Sequence, residues 1–242
     1  MPNRRDLLGI AAGLLAAPGL AGEALAAEPA SDFPYDYLLI EVRQAEGGRG
    51  QIEQFLAHLR GAGLAAVRQA GGELLGAFTP LIGWTSEQLA VMLRWPADTA
   101  ARERAMATIT RHPAVARVER SRLAPTLRPA ATDRPLARGI YTHRWFTIHA
   151  RDLDEFVALS GAAWPEFERD FATRVFGLFR ADPDAAERGK GLLRMLLNTQ
   201  YDSHAVWEAL RAPSPTSAAA FKRRAEMTLT TRVVSLRYLP IG

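Results

Sequence analysis

The 242-residue sequence contains no cysteine. Disulfides, thiolate nucleophiles, Cys-ligated zinc and iron–sulfur clusters are excluded together, so stability must come from packing. The sequence also lacks a Gly-x-Ser-x-Gly elbow, a Gly-x-x-x-x-Gly-Lys phosphate loop, a dinucleotide fingerprint and a His-Glu-x-x-His motif. Hydrolases and nucleotide-binding enzymes that depend on those signatures are disfavoured. There is no run of basic residues: the formal net charge is +4, and the arginines are scattered among acids. That pattern describes a solvated surface and argues against nucleic-acid binding.

Hydrophobic residues make up 48% and charged residues 23%, which is the balance of an ordinary globular protein. The length suits one large domain or two small ones.

The first 26 residues read as a removable leader. Arg4 and Arg5 precede the apolar pair Leu7 and Leu8, and the stretch to Ala21 is uncharged and rich in Ala, Gly and Leu. About 15 apolar residues fall short of the roughly 20 that span a bilayer, so stable membrane insertion is not expected. Ala24-Leu25-Ala26 offers small residues for cleavage before Ala27. Twin arginines before a modest apolar segment predict export by the twin-arginine machinery, and hence a periplasmic or secreted protein. Substrates of that route fold before transport, which accords with a cysteine-free body.

The rest of the chain shows one pattern twice. Tyr35 to Arg43 alternates as a strand, and Ile52, Phe55, Leu56 and Leu59 mark an amphipathic helix. Leu74 to Ile82 and Gln88 to Trp95 read as strands around Gly83-Trp84-Thr85-Ser86, Asp98 to Arg111 as a helix, and Leu123 to Leu127 as a closing strand. After a Pro-rich connection the order recurs. Ile140 to Ile148 is a strand, and Leu153 to Phe171 is a helix predicted to break where Trp164 precedes Pro165. Val175 to Arg180 and Leu192 to Tyr201 are strands, Ser203 to Leu210 and Ala218 to Glu226 helices, and Thr231 to Leu239 the last strand. The predicted fold is α+β: two ferredoxin-like repeats, residues 33–128 and 138–242, joined by a linker over 129–137. Each repeat covers one sheet face with helices, so the two bare faces can meet and close an α-β barrel.

Several runs carry a family resemblance. Leu75-Gly76-Ala77-Phe78-Thr79-Pro80-Leu81-Ile82-Gly83, Leu93-Arg94-Trp95-Pro96, Ala101-Arg102-Glu103-Arg104 and His112-Pro113 follow one another as in the NIPSNAP family. Tyr141 to Trp145, Val175 to Arg180 and Asn198 to Tyr201 resemble it more loosely. Met92 stands where the family commonly has His, and His112 where it has Asp. The resemblance implies a dimeric α-β barrel, an architecture shared with cofactor-free monooxygenases and haem enzymes. It implies a fold more than a reaction. The expected function is binding of a small molecule or protein partner, with no cofactor required; the alternative is a haem-binding or cofactor-free oxidoreductase. A homo-oligomer is compatible with either.

The candidate pocket residues are His143, Trp145, Arg180, Asn198 and Gln200. His143 is flanked by Arg144 and Trp145 in an aromatic strand and could act as a base or axial ligand. His149, six residues on, would stand roughly 20 Å away, too far to share a metal. Arg194, Asn198 and Gln200 put a polar stripe on one strand face, which Arg180 could join across a barrel. Glu166 and Asp170, with Glu168, read as a solvated helix surface, and Trp164 and Trp207 as packing anchors.

Overall fold

A computed structural model describes residues 32–44, 50–209 and 215–241. The predicted leader lies outside the described residues. Among those described, no helix is long and apolar enough to cross a membrane.

The first repeat runs β1 (Tyr35–Val42), α1 (Gly50–His58), a π turn (Leu59–Gly63), α2 (Leu64–Gln69), β2 (Glu73–Ile82), β3 (Gln88–Arg94), α3 (Ala100–Thr110) and β4 (Val115–Pro125). The second runs β5 (Ile140–His149), α4 (Leu153–Asp170), β6 (Thr173–Ala181), α5 (Ala185–Gly189), β7 (Leu192–Tyr201), α6 (His204–Ala209), α7 (Pro215–Glu226) and β8 (Thr228–Leu239).

All strand pairs are antiparallel, and the strands close a barrel in the order β1-β3-β2-β8-β5-β7-β6-β4. Each repeat alone would leave two bare edges. Closure pairs Ala77 with Leu239 at one seam and Leu123 with Ala181 at the other, which removes both.

Alternation along each strand sorts residues into lumen and exterior. Tyr35, Tyr37, Phe78, Tyr141, Phe179 and Leu236 fill the lumen. On the outside, Leu38, Ile40, Leu89 and Val91 pack beneath Phe55, Leu59, Met106 and Ile109 of the first helical layer. Ile148, Leu193, Met195 and Leu178 do the same beneath Phe156 and Trp164 of the second. β1 is therefore largely apolar on both faces, its charged residues being the half-buried Glu41 near its end and Asp36, which is fully buried and ion-paired to Arg102 and Arg120.

Three elements differ from the sequence expectation. β4 begins at Val115, eight residues earlier, because its Arg and Glu residues hide the period that pairs Val118 with Ile40 and Ser121 with Tyr37. α4 continues through Pro165. Pro165 is on its exposed side, and Phe156 and Ser160 before it and Phe167 after it are buried, so packing on both sides of the proline holds one helix. The short α5 is fixed by a capping box between Asp184 and Glu187, a signal present in the sequence but unread.

Candidate functional site

The second helical layer does not pack down as the first does. Between α4, α6, α7 and the outer face of β5, β7 and β8 lies a cavity of about 850 Å³. Phe167 meets Phe221 edge-on at 5.6 Å and Tyr201 at 6.4 Å between ring centroids, which props α4 and α7 away from the sheet. Trp164 and Trp207 add indole walls.

Into this aromatic chamber the fold brings two arginines. Arg144 projects from β5 on the same face as the buried Phe146 and Ile148, and Arg224 comes from the last turn of α7. The Arg224 guanidinium lies 5.1 Å from the ring centres of Phe146 and Phe221 and 5.4 Å from that of Phe156. It donates to Ser160 Oγ at 3.2 Å. Burial pushes its pKa down to about 10, with the nearby positive charge of Arg144 adding to the effect. Neither arginine forms an ion pair with a carboxylate among the described residues. Tyr201, pushed upward by burial, faces both cations. His204 is also in the wall, its Nε2 2.8 Å from Ser235 Oγ.

A second, smaller cavity of about 220 Å³ opens at one mouth of the barrel lumen, walled by Trp84, Trp145, Arg194 and Arg232. His143 forms its floor. The ring is fully buried, with Tyr37 Oη 2.8 Å from Nδ1, Asn198 Nδ2 3.0 Å from Nε2, and Phe78 edge-on at 4.5 Å. Burial drives its pKa down to about 3, so the imidazole is neutral. With Asn198 Nδ2 donating to Nε2, the neutral ring carries its proton on Nδ1 and donates it to Tyr37 Oη. Asn198 Oδ1 is then the one buried polar atom of this cluster without a partner among the described residues.

The sequence candidates thus fall in three places. His143, Trp145 and Asn198 converge in the lumen, where Arg194 stacks on Trp145 at 5.5 Å and pairs with Glu187 at 2.6 Å. Gln200 is buried on the same strand face but reaches toward Arg138 O and Asp202 at 3.5 and 3.3 Å. Arg180 is on the outer face, stacked on Phe33 at 4.6 Å, and does not join His143 and Asn198. The register explains this, since Arg180 pairs with the outward-facing Met195. On α4, Glu168 accepts from Arg128 at 2.6 Å and Asp170 from Arg169 at 2.9 Å. Among the described residues no group of three His, Asp or Glu side chains is placed to hold a metal.

Sequence reasoning missed the larger cavity. Its one legible signal was Arg144, a cation on a strand face that otherwise carries Ile140, Thr142, Phe146 and Ile148. Arg224, by contrast, reads as an ordinary charge at a helix C-terminus.

No protein-family profile matches the sequence, and no curated protein matches it either. Solved structures do match in shape. A protein of Fusobacterium nucleatum assigned as a monooxygenase aligns over 86% of this chain and 93% of its own at 10% identity, with a TM-score of 0.54. An anthrone oxidase-like protein aligns over 86% and 92% at 14% identity, with a TM-score of 0.52. A mutant chlorite dismutase of Candidatus Nitrospira defluvii aligns over 87% and 93% at 7% identity, with a TM-score of 0.52. At such identities the likeness is one of fold, and the chain has the ferredoxin-like, dimeric α-β barrel fold in a single polypeptide.

Proposed function

We propose that this protein is an oxidoreductase of the monooxygenase type that takes a small, largely apolar molecule into the cavity of its second repeat. The observation that carries the reading is the 850 Å³ chamber, walled by Trp164, Phe167, Trp207 and Phe221. Its volume falls in the upper part of the range of small-molecule sites, about 300–1,000 Å³. The fold relatives assigned as monooxygenase, anthrone oxidase-like protein and chlorite dismutase supply the reaction class by analogy of fold. The NIPSNAP-like order of motifs belongs to the same proposal.

Oxygen uptake by the purified chain with a panel of polycyclic phenols tests it. Thr231 faces the cavity from β8, opposite Phe146. Thr231→Phe should lower uptake at least 10-fold while leaving the melting temperature nearly unchanged, because the position is exposed. Uptake that this variant leaves intact would move the reaction out of the cavity.

A haem version of the reading has one observation in its favour: His204 lines the same cavity, with one ring nitrogen held by Ser235. The other nitrogen would bind the iron, Arg144 and Arg224 would hold the propionates, and the haem would supply a redox-active metal. His143 does not fit that role, since both its nitrogens have partners and its ring is fully buried. A Soret band appearing on haem addition and lost in His204→Ala is the expected result for this version; no band at all would end it.

The reading includes export, with cleavage before Ala27. N-terminal sequencing of protein from the periplasm of its own cells should begin at Ala27; an intact Met1 there would contradict the leader.

A further inference from the structure

Resting on the oxidoreductase reading above, we propose that the large cavity is built for a flat aromatic carboxylate. Its anionic oxygens would be held between the guanidinium groups of Arg144 and Arg224, and its ring among Trp164, Phe167 and Trp207. A partly buried cation without a counter-charge is unfavourable, and two facing one another are more so. The fold nonetheless places Arg144 and Arg224 on the same chamber, with no described carboxylate paired to either. Glu208, the carboxylate in the chamber wall, is exposed on α6 and pairs with neither.

Arg224 is also held in orientation. Three phenyl rings and the Ser160 hydroxyl surround its guanidinium, so little freedom is lost when a carboxylate accepts from it. A guanidinium fork matches two carboxylate oxygens in one plane, and an anion placed there removes the repulsion between the arginines. The walls select the remainder of the molecule. They are edge-to-face aromatics, which favour a planar ring over a flexible chain. The Trp164 indole N–H, buried and without an acceptor among the described residues, offers one further donor.

Calorimetric titration of the full chain with 2-naphthoate and with its uncharged isostere 2-naphthamide tests the proposal without any variant. The acid should bind at least 10-fold more tightly than the amide, and its affinity should fall as salt is raised. Arg144→Met should weaken the acid by 10- to 100-fold and leave the amide unchanged. Equal binding of acid and amide, or equal losses of both in Arg144→Met, would overturn the ligand class. So would failure of both compounds to bind. The oxidoreductase reading stands or falls separately, on oxygen uptake and its response to Thr231→Phe.

Discussion

Replacing Asp36 by alanine should remove about 3–5 kcal/mol of folding stability, which is a large share of the 5–15 kcal/mol typical of a domain. Asp36 is fully buried beneath the first helical layer. Its carboxylate accepts from Arg102 at 3.0–3.1 Å and from Arg120 at 2.7 and 3.2 Å. Arg102 is itself only 1% exposed; its guanidinium also donates to Phe33 O at 3.1 Å and makes a short contact to Asp98, while its backbone N–H donates to Thr99 at the cap of α3. Removing the acid would take a fully buried counter-charge away from that buried guanidinium. The loss would arise mainly from the stranded cation and not from the pair's own attraction. Asp36→Asn should lose less than Asp36→Ala, since it keeps the shape and one acceptor oxygen for the guanidinium but removes the negative charge. Urea denaturation followed by circular dichroism would read the change in midpoint at constant slope. A loss below about 1 kcal/mol would mean that Asp98 and Arg120 rearrange to compensate.

Acid should unfold the protein through His143. In the unfolded chain this imidazole protonates near pH 6.5; in the barrel lumen burial holds it neutral until about pH 3. Between those values the unfolded state binds a proton that the native state refuses, so stability is fully present above pH 6.5 and declines as the pH falls toward 3. Each pH unit of that span is worth about 1.4 kcal/mol, giving a loss approaching 5 kcal/mol. His143→Gln should start from a lower stability at neutral pH, because its amide only partly replaces the contacts to Tyr37 and Asn198. Its stability should then change far less between pH 6.5 and 4 than that of the wild type. Parallel pH profiles for the two proteins would show that the imidazole titrates freely and that the lumen is wetter than its geometry implies.

Much of the architecture was legible in the chain. The two strand-helix-strand-strand-helix-strand passes could be read from period-2 and period-3.6 patterns because most elements bury one face and expose the other. β4 resisted this reading because Arg120 is drawn toward Asp36 and Glu103, contacts that exist only once β1 and α3 lie beside it. The polar stripe of β7 was legible as a stripe, but not its destination. Asn198 reaches His143 through the pairing of β5 with β7. Arg180 is turned outward because a bulge between Val175 and Gly177 resets which residues of β6 face the lumen.

The amino-acid sequence by itself determined the duplicated α+β pattern, the absence of thiol chemistry and the candidate status of His143 and Asn198. These follow from local periodicity and residue type, which do not depend on long-range contacts. Only the tertiary structure decided that the lumen is packed around a neutral histidine while the larger chamber opens on the opposite face of the sheet. That outcome depends on aromatic side chains from α4, β7 and α7 propping the second helical layer apart. It also depends on Arg144 and Arg224, 80 residues apart in the chain, being brought to one cavity by the packing of α7 against α4, which sets the Arg224 guanidinium over Phe146 of β5.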